Sequence, residues 1–350
     1  MIDRQFIERV WYGGDAFAAA ARAVLIPAER AFGGVVGARD LLYDAGWLPA
    51  RETAVPVVSV GNLTVGGTGK TPVSAWIARG LRSRGASPAV VMRGYGDDEP
   101  LVHETLNPSI PVIVDPDRAA GVAEAVRRGA DVVVLDDAFQ HRRVHRLADL
   151  VLVSADQWTP VVRLLPAGPW REPLRAVRRA TLIIVTRKAA ADDVVESVHE
   201  RLADVAPAVP RVSVRLDPGD VVRAGGERES VSLDSLRGKS VRSVLSIADP
   251  ASFVRQMDAH GIRVTASIFP DHHAFDRAEV DGIARRFAPD DMIVCTLKDV
   301  VKLAPYWPRL APPLWYVSQQ VMVERGVGGL ERVLDDLVVS RSSSTSPTAG

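Results

Sequence analysis

Apolar and polar positions alternate between two textures along the chain. Short apolar runs bounded by turn residues recur at Val57–Val60, Ala89–Met92, Pro111–Val114, Val132–Leu135, Leu150–Ser154 and Leu182–Thr186. Runs of that length predict strands buried on both faces of a parallel sheet. Between them, apolar residues return at helical spacing, as at Val73, Ile77 and Leu81, and helices are expected from Arg118 to Arg128 and from Asp192 to Ala206. Near Pro207 the rhythm changes. Val209–Leu216 and Val221–Val231 alternate around Gly225-Gly226 and predict extended segments joining two units. From Ser240 the strand–helix rhythm resumes, with strands Val241–Ile247, Val264–Phe269 and Met292–Thr296 and helices Ala251–His260 and Arg277–Phe287. The reading is an α/β fold: a larger unit over 31–208 with a parallel sheet and a phosphate-binding loop, an extended β linker over 209–239, and a second, smaller α/β unit over 240–339.

The two ends differ from this body. Phe6, Ile7, Val10, Trp11, Phe17, Ala21, Val24 and Leu25 fall mostly on one side of a helical segment, 1–30, that Gly13-Gly14 weakens in its middle. Such a face either packs on the protein's own core or lies in a membrane interface, and both readings are open. The last residues, 340–350, are polar and low in complexity, which predicts disorder.

Composition narrows the class. With 350 residues, two units are a reasonable prior, and 47% hydrophobic with 25% charged residues is ordinary for a globular protein. The 43 basic and 43 acidic residues cancel, so overall charge gives no reason to expect a nucleic-acid partner. Cys295 is the only cysteine, which excludes an intramolecular disulfide and fits a reducing compartment. No apolar run of about 18 residues and no signal-peptide core occur, so neither a spanning helix nor a secretory leader is expected.

Chemistry enters after the first strand. Thr64-Val65-Gly66-Gly67-Thr68-Gly69-Lys70-Thr71 stands between a strand and a helix, the order a phosphate-binding loop requires. Glycines let backbone N–H groups curl around a polyphosphate, Lys70 reaches its terminal phosphates and the Thr71 hydroxyl suits Mg²⁺. Thr64 stands where the usual pattern has glycine, so the loop is a variant, and a tight glycine turn without a ligand is the plainer alternative. Downstream, Val132–Leu135 runs into Asp136-Asp137, carboxylates at a strand tip suited to Mg²⁺ or to capping the next turn. Asp97, Asp98 and Glu99 follow another strand end, where open α/β sheets bind ligands. Arg171, in the proline-rich stretch Leu165–Pro173, is either a surface charge or a phosphate contact. Asp271-His272-His273 leaves three readings: a zinc site, a capped helix start with a packed histidine, or a catalytic or substrate-binding histidine facing the loop across a cleft. Rival readings of the whole are a phosphate-loop ATPase or GTPase and a nucleotide-binding membrane adaptor without turnover. A guanine-specific Asn-Lys-x-Asp is missing, since Thr296-Leu297-Lys298-Asp299 has its lysine in another register.

The ordered set GNLTVGGTGKTP, RGYG, DDEP, DDAFQH, LPAGPWREP, FPDHH and TLKD resembles the tetraacyldisaccharide 4′-kinase family over roughly residues 5 to 335. The resemblance implies two α/β/α domains joined by an extended linker, ATP and Mg²⁺ as cofactors, and a peripheral position on the cytoplasmic face of the inner membrane. It implies transfer of the ATP γ-phosphate to the 4′-hydroxyl of an acylated glucosamine disaccharide 1-phosphate. Position by position, Lys70, Asp136, Asp137, Asp98 and His272 match catalytic residues, the last two as a dyad. Thr64 to Thr71 match the ATP loop, and Thr71, Asp136 and Asp137 the metal ligands. Asn62, Tyr95, Glu99, Arg118, Gln140, His141, Arg171 and Glu172 fall with the substrate-facing group. Departures are the loop shortened between Gly96 and Asp98, Ala138 where glycine is usual, and Leu297 where glutamate is common.

Overall fold

The structure, a computed structural model, describes residues 4–94, 98–225 and 229–343. Two helices open the chain, α1 (Arg4–Tyr12) and α2 (Ala16–Asp44). The break between them is where Gly13-Gly14 stands, and Asp15 restarts the helix by accepting a hydrogen bond from the Ala18 N–H. The first unit then follows as β1 (Val57–Asn62), α3 (Lys70–Ser83), β2 (Pro88–Met92), α4 (Asp98–Leu106), β3 (Val112–Val114), α5 (Arg118–Arg127), β4 (Val132–Asp136), β5 (Ala148–Ser154), β6 (Leu182–Arg187) and α6 (Asp192–Val205). The long β7 (Arg211–Arg223) leads out, with β8 (Ser230–Val231) paired to it. The second unit comprises β9 (Ser240–Leu245), α7 (Pro250–Ala259), β10 (Arg263–Ile268), α8 (Arg277–Ala284), β11 (Ile293–Thr296) and α9 (Leu297–Leu303). Finally β12 (Leu314–Arg325) runs back along β7 into α10 (Val327–Ser343).

One continuous sheet threads both units in the order β10-β9-β11-β12-β7-β6-β5-β1-β4-β2-β3. Every neighbouring pair on that path is parallel except β12 and β7, the antiparallel ribbon at its middle. Strands β1, β2 and β4 are buried along their whole length, because helices cover both faces, and a strand so covered must be apolar throughout. On one face, Val73, Ile77 and Leu81 of α3 meet Val58, Val60 and Leu150. Elsewhere on the sheet, Val195, Val198 and Leu202 of α6 pack with Val151 and Ile183. The smaller unit repeats the plan, α7 packing with Val241 and Leu245 and α8 and α9 with Val244.

The ends and the linker depart from the sequence reading. The linker over 209–239 has a partner strand, β12, which the alternation of residues 314–325 did not reveal. Leu330, Val333, Leu334 and Leu337 of α10 complete the core of the first unit, not that of the 240–339 unit, and Arg84 pairs with Glu331 and Asp335 of the same helix. The helix continues to Ser343, past the expected start of a disordered tail at Ser340; residues 344–350 lie outside the described residues. At the other end, α2 runs beyond residue 30 to Asp44, and only Ala18 and Val36 in it are buried. Of the expected N-terminal face, Val10 is buried, Ile7, Trp11, Ala21 and Leu25 are half-buried, and Phe6, Phe17 and Val24 are exposed. Side chains also hold it to the body: Trp11 Nε1 donates to Pro166 O at 3.0 Å, and Glu29 accepts from the Leu164 N–H at 2.8 Å.

Candidate active site

A cleft of about 1910 Å³ lies where the two units face each other. Its floor is the turn between β1 and α3. Gly69 caps α3 in the left-handed region, φ +87, with no side-chain cap, and a Cβ there would stand 2.3 Å from Leu216 Cδ1. Backbone conformation and space both require glycine. The first-turn N–H groups of α3 are consequently left for a ligand, and Val65 to Pro72 line the cleft. Two hydrogen bonds pin the turn: Asn62 Nδ2 to Thr68 Oγ1 at 2.8 Å and Thr186 Oγ1 to Thr68 O at 2.9 Å. Thr64 is spent differently from the expectation. It bridges Trp170, while Val65 N–H donates to Pro169 O at 2.8 Å and Arg171 N–H to Leu63 O at 2.7 Å. It does not line the cleft; it seats the proline-rich loop that carries Arg171.

Two carboxylates stand over this floor in unlike surroundings. Asp136, at the tip of β4, is 3% exposed and accepts from Ser74 Oγ at 2.8 Å, with His103 Nε2 at 2.9 Å from its second oxygen. Burial pushes its carboxyl up, but His103, Ser74 and the Lys70 charge outweigh it and hold it below the usual carboxylate range. Asp137 is half open and has φ +49, a conformation non-glycine residues rarely adopt. It sits 3.9 Å from Lys70 Nζ and 2.8 Å from Arg171 Nη2, and those cations overcome burial to keep it ionised. Burial in turn lowers the Lys70 pKa against the pull of Asp137. Thr71, at the start of α3, lines the same cleft as Asp136 and Asp137, and hard oxygen donors of these kinds would suit a phosphate-bound Mg²⁺.

The second unit adds the opposite wall. His272 also has positive φ, +55, so both described non-glycine residues with that strain face this cleft. Its Nδ1 is 3.1 Å from Asp98 Oδ1 at the start of α4. Glu99 meets Lys298 Nζ at 3.2 Å, a contact the sequence reading did not assign although TLKD was among its motifs. The zinc reading fails on direction: His272 turns to Asp98, whereas His273 hydrogen-bonds Glu279 at 2.8 Å and packs against Phe269 and Phe275. Among the described residues no group of three or more His, Cys, Asp or Glu is placed to hold a metal. The helix cap nearby is Asp276.

Among the substrate-facing residues expected from the sequence, Glu99, Arg118, Gln140, His141 and Arg171 line the cleft. Arg118 is 4% exposed, with its Nε buried and unpartnered. Burial and the Arg118, Arg146 and Arg143 charges lower the His141 pKa to about 4, so the imidazole is neutral at pH 7. Two expectations are corrected. Asn62 is fully buried and bonds Thr68, Arg171 and, through its carbonyl, Gln140; it shapes the loop and does not reach the cleft. Glu172 is also fully buried, 2.9 Å from Arg39 and 2.6 Å from Arg179. A carboxylate so placed is neutralised by arginines of its own chain and has no surface left for a substrate. Tyr95 lies outside the described residues.

The family described as tetraacyldisaccharide-1-P 4′-kinase, LpxK, matches residues 21–100 and 96–338. A tetraacyldisaccharide 4′-kinase of Anaeromyxobacter dehalogenans is 37% identical over 85% of this chain and 86% of its own. One of Syntrophotalea carbinolica is 36% identical over 90% of this chain and 92% of its own. A crystal structure of LpxK from Aquifex aeolicus in complex with ATP matches with a TM-score of 0.71 at 27% identity, covering 92% of this chain and 99% of that one.

Proposed function

The chain belongs to the tetraacyldisaccharide-1-P 4′-kinase family, and from that premise we propose how its cleft does the work. It is an ATP-dependent kinase of lipid A biosynthesis, phosphorylating the 4′-hydroxyl of tetraacyldisaccharide 1-phosphate. Phosphoryl transfer asks a protein mainly for positioning and charge compensation. In this reading the uncapped N–H groups of α3 and the Lys70 ammonium hold the phosphates. Thr71, Asp136 and Asp137 hold Mg²⁺, which when bound neutralises phosphate charge. Asp98 takes the proton of the sugar hydroxyl, and His272 Nδ1–H orients it by donating across the cleft. Arg118 and Arg171 compensate acceptor or nucleotide phosphate charge. The 3.1 Å contact between Asp98 and His272 carries this reading, because it joins the two units through a histidine that lines the same cleft as the phosphate loop.

The acceptor has a polar head and apolar chains. The same cleft is lined both by Ile7, Trp11, Tyr12 and Leu48 of the N-terminal region and by Lys70, Arg118 and Arg171. Phe6, Phe17, Val24, Val35, Leu41 and Trp47 are exposed alongside, and no described helix is long and apolar enough to cross a membrane. We place α1 and α2 in the surface of the inner membrane, facing the cytoplasm, as the route by which acyl chains reach the cleft. Purified protein given radiolabelled ATP, Mg²⁺ and the acylated disaccharide 1-phosphate is expected to form a bisphosphorylated lipid; label released only as inorganic phosphate would refute the transfer. Replacing Phe17 and Val24 by Asp is expected to reduce co-flotation with anionic vesicles at unchanged melting temperature, and undiminished flotation would remove the membrane role.

A further inference from the structure

We propose that His103 is a positioning residue for this transfer, orienting Asp136 and, through the helix it shares with Asp98, setting the spacing between the proton acceptor and the phosphate loop. The inference rests on the kinase reading above and adds a residue to it.

Helix α4 begins at Asp98, which meets His272 of the second unit. His103 lies further along, about 7.5 Å down the axis at 1.5 Å per residue and on another side of the helix. Its ring is 1% exposed, and Nε2 stands 2.9 Å from Asp136 Oδ2. Near the other end, Asn107 Nδ2 donates to Ala75 O at 2.8 Å and its Oδ1 accepts from Arg79 Nε at 3.1 Å, tying α4 to the helix that follows the phosphate loop. The helix is thereby clamped to α3 and to the tip of β4, and its first residue projects toward the second unit.

The chemistry of the ring argues against a packing role. Nδ1 is buried without a hydrogen-bond partner. With its proton on Nε2 the ring leaves a buried acceptor unfilled, and as imidazolium it leaves a buried donor unfilled. Either state costs free energy that a leucine of similar volume would not. What the imidazole contributes is the Nε2–H donated to Asp136. Ser74 donates to the other oxygen, so each carboxylate oxygen is oriented by one donor and keeps a lone pair for a cation or its water. Partners of this kind fix a ligand's orientation from behind.

The test uses full-length His103→Leu, His103→Gln and Ser74→Ala proteins. Three quantities are measured: melting temperature without nucleotide, Mn²⁺ affinity by electron paramagnetic resonance with a non-hydrolysable ATP analogue, and kcat and KM with the lipid acceptor. His103→Leu should melt close to the wild type, bind Mn²⁺ about tenfold more weakly and lose about 10- to 100-fold in kcat at unchanged acceptor KM. His103→Gln places its amide N–H at a similar depth and should recover most of both losses. A folded His103→Leu protein with wild-type Mn²⁺ affinity and kcat overturns the proposal, as does a glutamine variant no better than leucine. If His103→Leu does not fold, Ser74→Ala decides: weakened Mn²⁺ binding supports the orientation of Asp136 by its donors, and wild-type binding overturns it. A wild-type protein that transfers no phosphate to the acceptor refutes the kinase reading alone, and the Mn²⁺ comparison still decides the role of His103.

Discussion

In the first unit β1 and β4 are buried at every position, whereas β10, at the edge of the second, has exposed or half-buried residues throughout. The residues these strands deliver differ in the same way. Asp136, at the tip of β4, has a side chain 4% exposed with both oxygens held, while His272, on the loop after β10, is 44% exposed and meets one carboxylate of the opposite unit. The nucleotide side is thus fixed before any ligand arrives, as charge stabilisation requires. On the other side the exposed His272 is brought up to Asp98 of the first unit, whose own side chain is 3% exposed. The difference teaches that precision in this cleft is inherited from burial, and that what is exposed depends on its partner across the gap.

The comparison can be broken by substitution. Asp98→Asn should cost about 10² to 10⁴ in kcat with little change in ATP affinity, because it removes the proton acceptor and keeps the shape. His272→Ala should cost less, and a larger loss there than at Asp98 would reverse the proposed dependence. Single-turnover kinetics with both variants measures this. Glu172→Gln probes the buried side. Arg39 and Arg179 would then face a neutral amide, and unfolding stability should fall by about 2–3 kcal/mol, less than the roughly 3–5 of a fully buried pair since both arginines are partly exposed. Urea titration reads the change, and an unaltered midpoint would show that this network does not stiffen the first unit. A further probe is pH. Burial and the neighbouring arginines hold folded His141 down at about 4, below the ordinary 6.5, so between those values the unfolded chain binds a proton that the folded chain refuses. Stability from this residue is complete above pH 6.5 and is lost as pH falls toward 4. The His141→Gln variant should therefore lose less melting temperature over that window; an identical slope would show that the histidine is not held neutral by burial.

Much of this organisation is legible in the sequence where physics is local. The strands of the first unit read as apolar runs because both faces are covered, and the phosphate loop reads because its glycines, Lys70 and Thr71 are contiguous. Asp98 and His272 are far apart in sequence, and only family resemblance paired them. What stays hidden depends on distant partners. Glu172 falls with the substrate-facing group by resemblance, until Arg39, from the N-terminal helix, is folded over it. Asn62 reads as a strand-end polar residue open to a ligand, yet the turn closes back over it. The pairing of β12 with β7 is not visible from either strand, since each alternates only loosely and the register shifts between Val317 and Gln319. Leu330, Val333, Leu334 and Leu337 have helical spacing, but nothing local says which of two cores they complete.

The outgoing β7 and the returning β12 part company where Ala224 N–H still donates to Leu314 O at 2.8 Å. Everything between those residues is a parenthesis in the chain, opened and closed at one place on the sheet. A polypeptide stepping directly from Ala224 to Leu314 would keep the nucleotide floor, the carboxylate pair and α10, and would lack His272 and Lys298. The wall that carries His272 and Lys298 is thus one uninterrupted excursion of the chain, entered and left at a single place on the sheet.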